Sequence, residues 1–282
     1  MSKSVSCIIP IYGIVSEESK FFFGQLIQSV ASAAKYLADR FELIIVNDDK
    51  ERISRKFVID ICSDCGFCSD SVLYFENKEN LGQAYSRNIG AFNAKYDYLH
   101  FIDQDDFISE NYYDCIDDKS EDKDIIISVP YFYKNSQIKR AYTRLLIKSY
   151  YSAKEIGDLW YLLISNVTYS PGQILISRSA FSRSGGFPIL DHKGADDFAL
   201  FYNLIFKNTH PVSVRFERRC SFYYRIHNSQ NSKLTGTNES VMEFLMDRIP
   251  TTLKQKIIIR IKDKNACSYF RRLFYLLFFR RA

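Results

Sequence analysis

The most informative group of residues in this chain is Asp103-Gln104-Asp105-Asp106, in which three carboxylates lie within four residues. They follow an apolar, aromatic run, Tyr96 to Ile102, that is typical of a buried strand. Acids crowded at a strand tip are costly unless a positive charge lies among them, and hard cations such as Mg²⁺ and Mn²⁺ prefer oxygen ligands. The segment therefore predicts either a divalent-cation site or a solvated acidic turn that caps a helix beginning near Ser109.

Two further groups of carboxylates adjoin predicted elements. Asp48 follows a strand predicted over 41–46, and Asp196-Asp197 precede a helix predicted over 198–206. A carboxylate after a strand can accept a hydrogen bond from a ribose hydroxyl or a base N–H. A carboxylate pair at a helix start can supply a general base, although helix capping by Asp is a common alternative.

An alternation of strands and helices positions these acids. The apolar patterns predict strands over 5–9, 41–46, 72–76, 98–102 and 172–176, and helices over 21–40, 53–62, 83–94 and 198–206. Because the strands are predominantly apolar and do not alternate between apolar and polar residues, we expect an α/β fold with a mostly parallel sheet and helices on both faces. Ligands bind such sheets outside the carboxyl ends of the strands, so the acids should line one cleft.

Composition and missing motifs narrow the function classes. The 282 residues include 46% hydrophobic and 25% charged residues, as in globular proteins. No G-x-G-x-x-G or P-loop follows the first strand, which disfavours dinucleotide redox chemistry and P-loop phosphoryl transfer. Seven cysteines without framework spacing, and no secretory signal pattern, predict reduced thiols in a cytoplasmic protein. The Cys62-x-x-Cys65-x-x-Cys68 spacing lacks a fourth zinc ligand.

The C-terminal segment differs in charge from the rest of the chain. Residues 254–282 carry a net charge of +8, which leaves −3 for residues 1–253 within the total of +5. An acidic body is not expected to bind nucleic acid, so the basic tail is expected to have its own partner. Its apolar run, Leu273–Phe279, is too short to span a bilayer, but its Arg-flanked aromatic rings suit a membrane interface. The alternative is a helix packed on the body or at a homodimer contact.

Four motifs stand in order along the first 106 residues. They are Val5-Ser-Cys-Ile-Ile-Pro-Ile-Tyr12, Leu43-Ile-Ile-Val-Asn-Asp48, Glu79-Asn-Leu-Gly-Gln-Ala-Tyr-Ser-Arg-Asn-Ile-Gly90 and Leu99-His-Phe-Ile-Asp-Gln-Asp-Asp106. In this order and spacing they resemble the family 2 glycosyltransferases, which are inverting, metal-dependent enzymes of the GT-A fold. The resemblance implies a catalytic domain over 1–235, with a nucleotide-sugar-binding half, 1–106, and an acceptor-binding half, 107–235. A C-terminal helical extension, basic and aromatic, would follow over 236–282.

The resemblance also implies roles for the matching residues. The implied nucleotide-binding residues are Pro10, Tyr12, Asp48, Asn80, Gly82, Arg87, Asp103 and Gln104. Asp105 and Asp106 compete for the position of the metal ligand, and His227 is a further candidate ligand for Mn²⁺ or Mg²⁺. Asp197 matches the catalytic base, with Asp196 in support or as the alternative base. The candidates for contact with acceptor or diphosphate are His192, Lys193, Arg225 and Lys233.

The expected activity is transfer of a hexose or N-acetylhexosamine from a UDP-sugar to a saccharide acceptor. The resemblance further implies a lipid-linked acceptor, in the assembly of a cell-surface polysaccharide such as lipopolysaccharide or capsule. We expect a peripheral protein on the cytoplasmic face of the inner membrane, held there by its tail. The alternative is a non-catalytic, membrane-associated protein that binds nucleotide sugars or saccharides on the same fold.

Overall fold

The computed structural model describes residues 3–116, 122–138, 168, 170–190, 196–208 and 210–227. The strands in these residues are β1 (Val5–Ile11), β2 (Phe41–Asn47), β3 (Val72–Glu76), β4 (Tyr98–Phe101), β5 (Phe107–Ile108), β6 (Ile125–Lys134), β7 (Gln137–Ile138), β8 (Ile174–Ser177) and β9 (Val214–Arg225). They form one sheet in the order β3-β2-β1-β4-β8-β6-β9-β5, with β7 paired to β6. The first four strands in this order are parallel, whereas β8 is antiparallel to both of its neighbours.

Helices connect and cover these strands. The α-helices of the described residues are α1 (Glu17–Ala34), α2 (Arg55–Asp64), α3 (Gln83–Asn93), α4 (Arg178–Ser184) and α5 (Asp196–Phe206). Short 3-10 segments lie at Ala38–Arg40, Ser69–Ser71, Tyr112–Ile116 and Pro171–Gln173. The predicted fold class, a mixed and mostly parallel sheet flanked by helices, is confirmed for the described part of the chain.

The predicted helices start or end a few residues from the observed ones, and α1 shows a local reason for the difference. α1 begins at Glu17 rather than residue 21, because Ser16 and Ser19 form a reciprocal capping box. It ends at Ala34, and the chain then turns through Ala38, which has a φ of 51°. The helix predicted to begin near Ser109 is only the 3-10 segment that starts at Tyr112.

β1 is buried on both faces of the sheet, which explains why Ser6 is its only polar residue. On one face Ile8 joins a cluster that includes Ala91 of α3 and residues of α4 and α5. On the other face Cys7 packs in a cluster with Val58 of α2 and residues of α1. A Cβ atom on Gly90 would lie only 2.3 Å from Cγ2 of Ile8. Glycine at this position therefore allows α3 to lie close against β1.

The carboxyl ends of β1 and β4 diverge at the centre of the sheet. β2 and β3 lie on one side of β1, and β4 lies on the other, which makes this a topological switch point. Pairing with β4 ends at Ile8, whereas pairing with β2 continues to Ile11. The Ile8 carbonyl faces β4, where it accepts the N–H of Ile102. Pro10, two residues later, faces the same side of β1, but at a level where β4 has already ended. Its missing N–H therefore leaves no ladder hydrogen bond unmade, and the cleft opens here.

The second half of the sheet brings its last strand back to this cleft. β9 is parallel to β6 and antiparallel to β5, which directly follows the acidic turn, Asp103–Asp106. Phe107 and Tyr223 are partners in this pairing, and their stacked rings lie 4.6 Å apart. The pairing places Arg225 and His227 beside the acidic turn despite their distance in sequence.

One continuous sheet joins the two predicted halves of the catalytic domain, so the boundary between residues 106 and 107 stays a prediction. The predicted C-terminal extension, 236–282, lies outside the described residues. In the parts that are described, no helix combines the length and apolar character needed to cross a membrane.

Candidate active site

Asp48 shapes the loop that leads from β3 into α3. Its Oδ1 accepts hydrogen bonds from Nδ2 of Asn77 at 2.7 Å and from the N–H of Leu81 at 2.8 Å. Its Oδ2 accepts the N–H of Gly82, the N-cap of α3, at 2.8 Å. Gly82 has a φ of 88°, which glycine adopts without strain, and Asn80 is exposed at the loop tip. A carboxylate can accept about four hydrogen bonds, so Asp48 retains capacity for a ligand.

Gln104 joins the two sides of the switch point. Its Oε1 accepts the N–H of Tyr12 at 2.8 Å, and its Nε2 donates to the Tyr12 carbonyl at 2.7 Å. The Tyr12 ring remains 46% exposed, with the Arg52 guanidinium 5.2 Å from its centroid. Asp49 pairs with Arg52 and accepts the N–H of Gly13. Tyr12 thus presents an aromatic face at the edge of the cleft, and this face is suited to stacking on a planar base.

The last two acids of the acidic turn face different environments. Asp106 is 1% exposed and accepts the N–H of Arg225 at 2.9 Å. Burial, together with the charge of Asp105, raises the pKa of Asp106 well above its ordinary value. Asp105 is partly exposed, and its Oδ2 lies 2.6 Å from Nε2 of His227. The structure therefore separates one inward-facing acid from one that borders the cleft.

Arg225 supports the acidic turn from within the protein. Its Nε donates to the Asp105 carbonyl at 2.6 Å, and its Nη2 donates to Oε1 of Gln25 at 2.9 Å. The guanidinium lies 4.2 Å from the ring centroid of Phe22 and 5.0 Å from that of Phe107. Arg225 is only 4% exposed. These contacts favour a supporting role over the predicted contact with acceptor or diphosphate.

Arg87 connects the acidic turn to the start of α5. Its Nη2 pairs with Oδ1 of Asp103, and its Nη1 pairs with Oδ2 of Asp196. The guanidinium also lies 5.1 Å from the ring centroid of Phe187. Asp103 accepts a further hydrogen bond from Nε2 of Gln83 at 2.7 Å. Burial raises the pKa of Asp103, although the charge of Arg87 opposes this rise.

Asp197 is the acid best suited to proton transfer near neutral pH. Its Oδ1 accepts the N–H of Phe198 at 2.8 Å, within the first turn of α5. Burial, reinforced by the charge of Asp196, raises the pKa of Asp197 from 3.8 to about 7. A general base is most effective when its pKa lies near the working pH.

One pair of side chains in the described residues has the chemistry of cation ligands. Among them, no group of three or more His, Cys, Asp or Glu side chains could hold a metal ion. Asp105 and His227 nevertheless bring a carboxylate oxygen and a ring nitrogen together beside the cleft. Mg²⁺ commonly binds through one or two carboxylates plus substrate phosphates. The donor set thus fits a cation whose coordination a bound diphosphate completes.

Several residues that shape this site were missed in the sequence: Phe22, Asn77, Gln83, Ser170 and Phe187. Asn77 could have been found, because it follows β3 directly, as Asp48 follows β2. The other four reach the site through tertiary contacts that no local pattern indicates. Three predicted contact residues, His192, Lys193 and Lys233, lie outside the described residues.

Comparison with known proteins assigns the family. The profile of Glycosyl transferase family 2 matches residues 6–185, which is more than half of the chain. The chain belongs to glycosyl transferase family 2. The resemblance carried by the four sequence motifs is thereby confirmed, and the chain is a glycosyltransferase of this family.

Curated relatives share only part of their length with this family 2 chain. It is 26% identical to Glycosyltransferase GlyA of Streptococcus pneumoniae over 148 residues, which are 52% of this chain and 19% of GlyA. It is 29% identical to Glycosyltransferase GlyG of the same organism over 136 residues, which are 47% of this chain and 40% of GlyG. The matches thus span less than half the length of either relative.

Solved structures share the architecture over nearly the whole chain. S. aureus TarS 1–349 has a TM-score of 0.61 at 15% identity, and the match covers 99% of this chain and 73% of that one. The mannosyltransferase PcManGT from Pyrobaculum calidifontis, in complex with GDP-Man and Mn²⁺, has a TM-score of 0.60 at 12% identity and coverages of 98% and 74%. At these identities the likeness shows the fold, in agreement with the predicted GT-A architecture.

Proposed function

We propose that this family 2 enzyme transfers a hexose or N-acetylhexosamine from a UDP-sugar to a saccharide, with inversion at the anomeric carbon. One observation carries the proposal. Asp48 follows β2 while Asp103 and Asp105 follow β4, at the same edge of the sheet on either side of β1, and Arg87 links Asp103 to the helix that bears Asp197. The acid with a pKa of about 7 thus belongs to the same cleft as the donor-side carboxylates.

Donor binding would use the switch point between β1 and β4. The Tyr12 ring would stack on the base, and Asp48 would accept a base N–H with its remaining lone pair. Asp103, whose side chain is 21% exposed, would accept a ribose hydroxyl. The S. aureus TarS structure in complex with UDP-GlcNAc shares this fold, at a TM-score of 0.62 and 15% identity, which supports a UDP-sugar donor.

Asp105 and His227 would hold Mn²⁺ or Mg²⁺ beside the donor diphosphate. When bound, such a cation would neutralise the negative charge that develops on the leaving diphosphate. Asp106 is buried, so we assign it to positioning the turn through its bond to the Arg225 N–H. The Mn²⁺ in the PcManGT complex, a structure of the same fold, supports a cation at this place.

Asp197 would take the proton of the acceptor hydroxyl. As the acceptor oxygen bonds to the anomeric carbon, the bond from that carbon to the phosphate oxygen breaks, and its electron pair leaves with UDP. Attack from the face opposite UDP inverts the configuration. Because Asp197 must be ionised to accept the proton, turnover should rise with pH through about 7.

Calorimetry and a donor screen test this proposal. Wild-type protein should bind UDP more tightly with Mn²⁺ than without it, and it should release UDP from one member of a UDP-sugar panel when acceptor is present. Asp197→Asn should bind UDP but lose transfer. Absence of UDP binding in both conditions would contradict the donor class, and full activity of Asp197→Asn would contradict the base. Metal-dependent binding without transfer from any donor would favour the non-catalytic alternative.

We also propose that the acceptor is lipid-linked and that the tail holds the enzyme on the cytoplasmic face of the inner membrane. The support comes from the sequence, in the net charge of +8 over residues 254–282 and the Arg-flanked aromatic run, Leu273–Phe279. Deletion of residues 265–282 should move the protein from the membrane fraction to the soluble fraction. An unchanged distribution would contradict this assignment.

A further inference from the structure

α3 contacts the acceptor half of the protein through two successive side chains, Arg87 and Asn88. The Asn88 amide pairs with the backbone of Phe187, because its Nδ2 donates to the carbonyl and its Oδ1 accepts the N–H, each at 2.9 Å. A Cβ atom on Gly186 would lie 2.8 Å from the same Oδ1, so the contact leaves no room for a side chain. Gly186 and Phe187, which follow α4, are therefore held against α3.

The Arg87 guanidinium is enclosed by acids and an aromatic ring from three different parts of the chain. Asp103 comes from the acidic turn, Asp196 from the first turn of α5, and Phe187 from the loop before α5. Arg87 is 1% exposed, so it is not presented to the cleft as a free cation. The planar guanidinium fork can span two carboxylates at once, which a lysine ammonium cannot do in the same geometry.

The N-terminus of α3 is fixed on the donor side of the cleft. Asp48 accepts the N–H groups of Leu81 and Gly82, where α3 begins. α3 thus begins beside Asp48, and about one turn further along it carries Arg87 and Asn88, which contact α5 and the residues that precede it. Gly90 allows the same helix to lie close against β1.

We propose that Arg87 is a positioning residue that holds the first turn of α5 against the acidic turn through its paired contacts with Asp196 and Asp103. The inference rests on the proposed function, in which Asp197 is the base and Asp103 lines the donor pocket. It replaces the direct contact with base or phosphate that the family resemblance implied for Arg87.

The charges around Asp197 allow geometry and electrostatics to be separated. The charge of Asp196 raises the pKa of Asp197, and the charge of Arg87 lowers it. Arg87→Lys keeps the charge but loses the fork. Arg87→Met loses both, and Asp196→Asn removes one acid while it retains the side-chain shape. The exposed ion pair of Lys56 with Asp60 provides a control, Lys56→Met, in which a cation is lost far from the cleft.

The experiment compares these variants by UDP calorimetry with Mn²⁺, steady-state kinetics across pH, and hydrogen exchange of the α5 peptide. Arg87→Lys should lower kcat by about 100-fold, the usual effect of misplacing a catalytic group by about 1 Å. Its UDP affinity should stay within about threefold and the midpoint of its pH profile should not move, because the charge is retained. The midpoint should move to lower pH in Asp196→Asn and to higher pH in Arg87→Met. Exchange of the α5 peptide should accelerate in every Arg87 and Asp196 variant, and Lys56→Met should match wild type.

Two results would overturn the inference. Loss of UDP affinity in Arg87→Lys equal to its loss of kcat would indicate a direct nucleotide contact. Unchanged exchange of α5 in Arg87→Lys and Asp196→Asn would show that the contacts do not hold the helix. If Arg87→Met does not fold, these two conservative variants carry the test. Hydrogen exchange is measured without substrate, so it tests the contact of α5 with Arg87 independently of catalysis. If the wild-type protein transferred no sugar, the proposed function would be wrong, but the exchange measurement would still test this contact.

Discussion

Asp197→Asn should stabilise the fold at alkaline pH while it abolishes transfer. The side chain is placed where burial and the charge of Asp196 disfavour ionisation, so its pKa rises from 3.8 to about 7. Asparagine has nearly the same shape, and its Oδ1 can still accept the N–H of Phe198. The substitution therefore removes the cost of a buried charge and keeps the local hydrogen bond.

The expected magnitude follows from proton linkage. Between pH 3.8 and about 7 the unfolded carboxyl is ionised, whereas the folded one retains its proton. The unfolded state then binds fewer protons, so the free energy of unfolding falls as pH rises through this interval. One pH unit corresponds to 1.36 kcal/mol, so the full loss is about 4 kcal/mol above pH 7 and about 3 kcal/mol of it falls between pH 5 and pH 8.

Urea denaturation of wild type and Asp197→Asn at pH 5 and pH 8 measures this effect. The advantage of the variant should grow by about 3 kcal/mol between the two pH values. Asp60→Asn, which breaks the exposed ion pair with Lys56, is the matched control and should change stability by less than about 1 kcal/mol at either pH. An advantage that does not grow with pH would show that Asp197 is already ionised at pH 5 in the folded protein. The assignment of a base poised near neutral pH would then be wrong.

Two further substitutions test how the cleft is built. Gly90→Ala should lower the free energy of unfolding by about 1–3 kcal/mol, because its Cβ would lie 2.3 Å from Ile8. Gly24→Ala is the helical control in the same denaturation assay, because an added Cβ at Gly24 would meet no atom within 4 Å. This variant should be neutral or more stable than wild type. Equal losses of stability in the two variants would contradict the packing argument. Asp48→Asn should weaken UDP binding about tenfold in calorimetry, because an amide cannot accept all three loop hydrogen bonds. Wild-type affinity in this variant would exclude Asp48 from the donor site.

Much of the fold could be predicted from local sequence, because burial on both faces requires strands that are predominantly apolar. The strand before Asp48 and the strand before Asp103 are of this kind, and their carboxyl ends lie on either side of β1 at the same edge of the sheet, as expected. Helix bounds were less predictable, since the start of α1 depends on the capping box of Ser16 and Ser19. The region from Ser109 failed as a predicted helix, and its two tyrosines, Tyr112 and Tyr113, are buried in the core instead.

The acids of the site were visible in the sequence, but their environments were not. Asp105 and Asp106 are adjacent residues of the same type. In the folded protein, however, Asp105 borders the cleft beside His227, whereas Asp106 is buried against Arg225. That difference arises from the pairing of β5 with β9, a contact between segments more than a hundred residues apart. No pattern within either segment encodes it.

By itself, the sequence determined the family, the order of the strands and helices as far as β4, and the set of acids available for chemistry, because motifs and apolar periodicity are local properties. The tertiary structure alone decided which acid is buried, which one borders the cleft beside His227, and which cation holds two of them together. Arg87 is the clearest case, since its contacts with Asp103 and Asp196 join segments that are distant in the chain. Charge pairing and burial depend on distances in space, and only the folded sheet sets those distances.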